Sequence, residues 1–399
     1  MMNAKLNSSF IIHHLSFESS VSSDADIMSQ VLRLAARGRG GVEPNPMVGC
    51  IIVKDGAIIG QGYHQKYGGP HAEPVALDSC SRSPQGATAY VNLEPCCHLD
   101  KQTPPCVPRL IDAKVARVVV GCADPNPFVN GRGLAQLRAA GIDVEDGVLG
   151  DQAKQINAAY FKQVTQRRPY VTLKWAQTVD GKIAGPGGRP LNISNAAARR
   201  IVHRLRARSD AILVGIETVL RDDPLLTARR VENPRPLLRI VVDSNLRIPP
   251  GSRLCQTTSE GPVLVCCAET AFGRRPDAVA ALNKSGVEVI SLPMEDAGGL
   301  SLAALLEELG RRRITHLLVE PGPTLAGGFL REKLADRAWI VRAPLRVDDP
   351  SAPAAVAVDW PTTGVLDVGG DQLTEYLNPQ SPVFFATELS ADMVLERQV

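Results

Sequence analysis

Apolar residues in the first third of the chain switch repeatedly between helical and strand spacing. Ile27, Val31, Leu32 and Leu34 recur at helical intervals between Asp24 and Arg37, and the glycines from Gly38 to Gly41 stop the run. Val48–Val53 and Ile58–Tyr63 are apolar runs joined by Lys54-Asp55-Gly56, which predicts a β-hairpin. His71–Leu77 reads as a helix, Thr88–Leu93 as a strand and Cys106–Ala113 as a helix. Val115–Gly121 reads as a buried strand, and Leu134–Ala140 as a helix that Gly141 ends. This alternation predicts a compact α/β domain over residues 24–148.

A polar, helix-like connector over residues 149–168 precedes a second cycle. Strands are predicted at Tyr170–Ala176, Ala211–Gly215, Leu238–Asp243, Val263–Cys267 and Val287–Leu292, with a basic helix at Asn195–Arg208. A helix at Leu302–Leu309 is followed by a strand, Ile314–Glu320, that runs into a Gly-Pro turn. A helix then reaches about Leu334, and a strand lies near Trp339–Arg342. Beyond Asp348 the pattern is weak, with an edge strand expected at Pro382–Ala386. No internal repeat relates the halves, so residues 169–399 form a second α/β domain.

Charge and composition narrow the classes. The net charge of +2 and an aromatic content of 4% exclude a strong electrostatic or stacking case for nucleic acid, and the charge argues against an anionic membrane surface. No apolar run approaches the ~18 residues of a membrane span. Residues 1–23 hold a short apolar patch, Phe10-Ile11-Ile12, without the basic start and long apolar core of a secretory signal; they read as a flexible leader or a misannotated start. Nine cysteines are too few for a disulfide scaffold in 399 residues, and the chain is expected in the reducing cytoplasm.

Three short segments carry chemistry in the first domain. His71-Ala72-Glu73 opens a predicted helix, Pro95-Cys96 opens a turn, and Pro105-Cys106 opens another helix. One imidazole and two thiolates leave the fourth position of a tetrahedral zinc open, the layout of a catalytic site. Zinc lowers the pKa of bound water towards 7. Glu73, two residues from a ligand, can handle that water's protons, the arrangement of zinc deaminases.

The tract Leu93-Glu94-Pro95-Cys96-Cys97-His98 through Thr103-Pro104-Pro105-Cys106 resembles the bifunctional riboflavin biosynthesis deaminase/reductases. Asn45-Pro46-Met47-Val48-Gly49, the His64 to His71 spacing and Asp124-Pro125-Asn126-Pro127 share the resemblance, which runs from about residue 26 to 345. The family usually spaces its two thiols one residue closer. Either the loop near Leu99–Gln102 is longer here, or Cys97 replaces Cys96 as ligand; Pro-Cys at the start of a turn favours Cys96. By resemblance Asn45, His64, His98 and Lys101 hold a ribose-phosphate substrate. The fold implied is a cytidine-deaminase-like α/β/α domain followed by a dihydrofolate-reductase-like α/β domain.

In the second half, Glu320-Pro321-Gly322-Pro323-Thr324-Leu325-Ala326-Gly327-Gly328 reads as a strand, a glycine turn and a helix start whose free amides can hold phosphate. No Gly-x-Gly-x-x-Gly fingerprint is present. With Lys174–Lys182 and Gly215–Thr227, this segment resembles the family's reductase half, whose hydride donor is NADPH. The resemblance implies cofactor contacts from Ala176, Thr218, Asp222, Ser244 and Gly322, Pro323, Thr324, Leu325, Ala326, Gly327 and Gly328. It implies substrate contacts from Arg206, Leu226, Arg229 and Glu320, with Lys174 and Asp222 as candidates for assisting hydride delivery. Pro190 and Asn192 stand where the family often has Ser and Trp.

The expected function is deamination of 2,5-diamino-6-ribosylamino-4(3H)-pyrimidinone 5′-phosphate at one zinc ion, then reduction of the ribosyl group to ribityl with NADPH. The residues alone leave NADPH against NADH open, and a homo-oligomer is compatible with the family. Rival readings are a deaminase with a degenerate reductase half, a deaminase of another purine or pyrimidine, and a non-catalytic zinc protein.

Overall fold

The computed structural model describes residues 23–97, 103–229, 231, 236–295 and 298–384. Ser23 caps the first helix, α1 (Asp24–Ala36): its hydroxyl accepts the Asp26 N–H while the Asp26 carboxylate accepts the Ser23 N–H. The rest of the expected leader, residues 1–22, lies outside the described residues. Strands β1 (Gly49–Lys54) and β2 (Ala57–Tyr63) form a hairpin whose Asp55 and Gly56 both take positive φ, as a tight two-residue turn requires. Then follow α2 (Ala72–Asp78), β3 (Thr88–Leu93), α3 (Cys106–Asp112), β4 (Arg117–Cys122), α4 (Arg132–Ala139) and β5 (Asp143–Asp146).

These strands make a five-stranded sheet in the order β2-β1-β3-β4-β5. β1 is antiparallel to β2 and β3, whereas β3, β4 and β5 are parallel. Both faces are covered, which the side-chain alternation of a strand makes legible. Val118 and Val120 pack in a core with Ala72, Ala76, Leu110 and Leu134, while Val119 between them packs with Met28 and Val31 of α1. Gly60 and Gly62 of β2 let α2 lie directly on the strand. A Cβ on Gly62 would stand 2.5 Å from the Ala76 nitrogen and 2.8 Å from the Ala72 carbonyl oxygen.

The expected connector is a pair of helices, α5 (Gly150–Ile156) and α6 (Ala158–Gln166). α5 packs on the first sheet, with Ala153 beside Leu93 and Cys122. α6 is tied to the second sheet by a buried ion pair, Lys162 Nζ to Asp336 Oδ2 at 2.6 Å.

The second sheet is built from β6 (Tyr170–Thr178), α7 (Ala196–Ala207), β7 (Ala211–Gly215), α8 (Ile216–Asp222), β8 (Leu238–Val242), α9 (Arg253–Gln256) and β9 (Val263–Ala268). It continues through α10 (Glu269–Arg274), α11 (Pro276–Lys284), β10 (Val287–Leu292), α12 (Leu302–Arg311), β11 (His316–Val319), α13 (Pro323–Arg331) and β12 (Arg337–Ala343), and closes with β13 (Thr362–Val368) and β14 (Asp371–Leu377). Nine strands lie in the order β10-β9-β8-β7-β11-β6-β12-β14-β13. The first seven positions are parallel, and β14 and β13 extend the sheet antiparallel. Cys266 and Cys267 are buried in β9 as core residues.

Two expectations are corrected. The segment beyond Asp348 holds the β13–β14 hairpin, turned by Gly369 and Gly370 at positive φ. Its outer strand is half exposed, so its apolar pattern is faint. The strand expected at Pro382–Ala386 is absent where described: residues 382–384 form turn and unpaired backbone, closed by the Phe384 N–H on the Ser381 carbonyl.

Gly62→Ala is expected to destabilise the chain by about 1–3 kcal/mol, because backbone rather than a flexible side chain meets the new methyl. Denaturant unfolding checks this, and bound zinc should fall with the displacement of α2. An unchanged midpoint and unchanged zinc content would contradict the close packing.

Candidate functional site

His71, Cys96 and Cys106 come from three places in the first sheet's connections. His71 is the N-cap residue of α2, Cys96 follows β3, and Cys106 is the first residue of α3. Their ligand atoms all lie within 4.8 Å of one another. His71 Nδ1 is 3.2 Å from the Cys106 sulfur and 3.5 Å from the Cys96 sulfur. Zinc–ligand bonds of about 2.0–2.3 Å give tetrahedral edges of roughly 3.5–3.8 Å, so the spacing suits that ion. Cys97 faces elsewhere, its thiol towards the Phe128 carbonyl at 3.8 Å. The longer loop, including His98 and Lys101, lies outside the described residues.

The second ring nitrogen of His71 is 3.1 Å from Thr103 Oγ1. With Nε2 protonated, the ring donates there and Nδ1 presents its lone pair to a metal. The backbones of the two cysteine segments are also joined: the Val107 and Cys106 N–H groups both donate to the Cys96 carbonyl. Hydrogen bonding to Cys96 and burial push the Cys106 thiol well up, a bias that a divalent cation inverts.

Glu73 sits in the first turn of α2, only 3% exposed. Its Oε2 is buried with no hydrogen-bond partner among the described residues, an orphan acceptor beside the ligand cluster. Burial pushes this carboxyl up, and the nearby Cys96 charge adds to the effect. A carboxyl placed beside the ligand cluster in this way can take up and return a proton.

Asn45 and His64 adjoin the cluster. His64 is buried, its ring edge-on to that of His71 with 5.4 Å between centroids. His64 Nδ1 lies 2.9 Å from the Pro70 carbonyl, which can only accept, so Nδ1 carries the proton. Nε2 is then an acceptor for the Asn45 amide nitrogen at 3.2 Å. That pairing leaves the Asn45 amide oxygen for an incoming donor.

Two positioning residues escaped the sequence reading, Thr103 and Glu94. The buried Glu94 carboxylate accepts the N–H groups of Asp124, Gly131, Gly133 and Leu134, pinning the Pro95-Cys96 turn to the start of α4. Both partners are remote in sequence, so spacing carried no signal for either.

In the second sheet, the nominated cofactor residues gather along the carboxyl edge of neighbouring strands. Ser244 follows β8, Thr218 and Asp222 follow β7, Gly322–Gly328 follow β11, and Ala176 lies near the end of β6. Ligands bind at that edge in open α/β sheets. Gly322 opens α13 with no side-chain cap, and a Cβ on Gly322 or Gly327 would meet open space. An anionic phosphate fits such a helix start.

Beside this edge, Arg206 of α7 grips Glu320 through two hydrogen bonds, 2.9 Å and 2.8 Å, and donates to the Thr227 carbonyl at 3.2 Å. One N–H on each terminal nitrogen remains for a substrate. Although burial pushes the Glu320 carboxyl up, Arg206, Lys174 and His203 hold it down at about 2. Burial lowers the Lys174 ammonium, with Glu320 opposing. Leu226 is buried at a positive φ, and Arg229 is exposed, its N–H donating to His203 Nδ1 at 3.2 Å. Asp222 ends α8 exposed, with no hydrogen bond or ion pair to Lys174 among the described residues. Pro190 and Asn192 are exposed.

Residues 21–122 match the family described as "Cytidine and deoxycytidylate deaminase zinc-binding region", and residues 169–356 match "RibD C-terminal domain". The chain is 43% identical over 333 residues to the Riboflavin biosynthesis protein RibD of Escherichia coli, covering 80% of this chain and 88% of that one. It is 40% identical over 321 residues to the protein of that name from Aquifex aeolicus, covering 80% and 87%. Among solved structures, Acinetobacter baumannii RibD superposes with a TM-score of 0.77 at 34% identity, covering 90% of this chain and 100% of that chain. A Thermotoga maritima diaminohydroxyphosphoribosylaminopyrimidine deaminase/5-amino-6-(5-phosphoribosylamino)uracil reductase gives 0.76 at 32% identity, covering 89% and 98%.

Glu320 stabilises the fold in a defined pH window. Its folded pKa of about 2 lies below the ordinary 4.5, so its contribution is full above pH 4.5 and is lost as pH falls towards about 2. The stability difference between the native chain and Glu320→Gln, followed by denaturant unfolding, is expected to shrink across that window. A difference independent of pH would contradict the ion pair.

Proposed function

The chain belongs to the RibD family of riboflavin biosynthesis enzymes, and from that membership we propose which residues serve each of its two reactions. It is a bifunctional enzyme with a cytidine-deaminase-like first domain and a dihydrofolate-reductase-like second one. The first removes an amine, as ammonia, from 2,5-diamino-6-ribosylamino-4(3H)-pyrimidinone 5′-phosphate with zinc; the second reduces the ribosyl group to ribityl with NADPH. We assign residues 24–148 to deamination and 169–399 to reduction, with residues 149–168 as the connector.

The observation that carries the assignment is the convergence of His71, Cys96 and Cys106 beside the buried Glu73. Zinc held by these three residues supplies Lewis acidity that makes water nucleophilic near neutral pH. Glu73 takes a proton from water attacking the ring carbon that bears the amine, and returns it as the carbon–nitrogen bond breaks. Thr103 orients the His71 ring. Asn45 and His64, with His98 and Lys101 by motif, hold the ribose phosphate; the bond of the Asn45 amide nitrogen to His64 Nε2 leaves the amide oxygen facing the substrate.

In the reductase half, Gly322 to Gly328, Ala176, Thr218, Asp222 and Ser244 hold the cofactor, which supplies hydride to C1 of the opened sugar. The open space at Gly322 and Gly327 suits close approach of its phosphates. Arg206, Arg229, Leu226 and Glu320 bind the substrate. Lys174 is the proton donor, since burial, helped by Arg206 and opposed by Glu320, lowers its ammonium below the ordinary lysine range; Asp222 is the second candidate. A reducing cytoplasm suits the chain, whose nine cysteines are all free.

Glu73→Gln is expected to lower ammonia release by roughly 10²–10⁴, while NADPH oxidation on the deaminated intermediate continues at the native rate. Parallel assays of the two steps check this. Loss of both activities with the fold retained would contradict two separate sites.

A further inference from the structure

We propose that Asn157, at the joint between α5 and α6, is a positioning residue of the deaminase site, holding the Asn45-bearing loop from a segment anchored in the second sheet. The proposal rests on the assignment of Asn45 to substrate binding. The Asn157 side-chain oxygen accepts the Met47 N–H at 2.8 Å, and its amide nitrogen donates to the Met47 carbonyl at 2.9 Å. Met47 is two residues from Asn45, and the pair joins positions 110 residues apart. Asn157 is 2% exposed, so these bonds are shielded from water.

The geometry is unusual for an asparagine at this place. Asn157 is the N-cap residue of α6, where its side chain would ordinarily accept an N–H of its own helix. It makes no such cap. Its two polar atoms are committed to the Met47 peptide instead. Asn92, on β3, completes the grip by donating to the same Met47 carbonyl at 3.0 Å and accepting the Gly49 N–H at 2.8 Å. Asn92 belongs to the deaminase sheet, whereas Asn157 brings in the reductase side.

Anchorage on that side is firm. Five residues beyond Asn157, Lys162 donates to both oxygens of Asp336, at 2.8 Å and 2.6 Å. Asp336 also accepts the Val171 N–H and the Ser381 hydroxyl, so α6 is locked to the start of β6 and β12. Between the loop and the second sheet lies a cavity of about 40 Å³, lined by Asn45, Met47 and Asn157 on one side and Tyr170, His316 and Arg337 on the other. The loop is therefore incompletely backed by packing, and the Asn157 amide is a direct hydrogen-bonded strut from the connector.

The test uses the full-length, zinc-loaded chain, with ammonia release and NADPH oxidation measured separately. Asn157→Ala is expected to raise KM for deamination by about tenfold, the loss of roughly one net buried hydrogen bond or slightly more. The deamination kcat, the zinc content and the reductase rate are expected to stay within about twofold of native. Asn157→Asp keeps the acceptor for the Met47 N–H but, when ionised, turns an oxygen towards the Met47 carbonyl. Its KM excess should be larger at alkaline than at acidic pH, because only the protonated carboxyl keeps a donor for the Met47 carbonyl. An unchanged KM in Asn157→Ala would overturn the proposal, as would equal losses of zinc, deamination and reduction. If the alanine variant does not fold, the aspartate variant decides, and a KM ratio flat with pH overturns it. A native chain that releases no ammonia would instead overturn the assignment of the deaminase site.

Discussion

Three ligand atoms from separate elements must meet within one tetrahedral edge of one another while a carboxylate stays close and uncoordinated. That constraint explains much of the first domain. His71 and Glu73 are set by how near α2 lies to β2, and Gly60 and Gly62 make the approach possible by removing side chains that would strike helix backbone. Cys96 is set by Glu94, whose carboxylate gathers four N–H groups and closes the turn against α4. Cys106 is set by the Cys96 carbonyl, which accepts from the first amides of α3. Each support acts on backbone, and the one long side chain among them, Glu94, is buried.

The second domain solves a different problem, the binding of a large anionic cofactor without a glycine-rich Rossmann loop. The proposed cofactor residues lie on a parallel core whose carboxyl edge collects loops from β8, β7, β11 and β6, which are adjacent in the sheet though scattered in sequence. Within this edge the charges of Lys174, Arg206 and Glu320 are mutually compensated. A buried carboxylate whose pKa is held down to about 2 stays ionised through the neutral range and compensates two cations in a poorly solvated cleft. The bidentate Arg206–Glu320 pair also explains why Arg206 differs from Arg199 and Arg200 of the same helix, which are exposed.

The chemistry was more legible in the sequence than the supports that hold it. His71-Ala72-Glu73 and the two Pro-Cys dipeptides carry their meaning in local spacing, and the buried strands announce themselves as continuous apolar runs. β5 went unread because Asp143–Asp146 is an acidic, largely exposed edge strand with little apolar signal. The β13–β14 hairpin was missed for a similar reason, although Gly369-Gly370 is a turn signal that could have found it. Thr103, Glu94 and Asn157 act through partners 32, 37 and 110 residues away, and such pairings leave no periodicity to detect. Pro95 at the start of the turn favoured Cys96 over Cys97 from the sequence, and it is the Cys96 sulfur that lies 3.5 Å from His71 Nδ1.

X-ray absorption at the zinc edge of the purified full-length chain tests the ligand arrangement most directly. The expected spectrum has two sulfurs at about 2.3 Å, one imidazole nitrogen at about 2.0–2.1 Å and one light-atom ligand exchangeable with solvent. A shell of three or four sulfurs, or four ligands all from the protein, would contradict an open catalytic position.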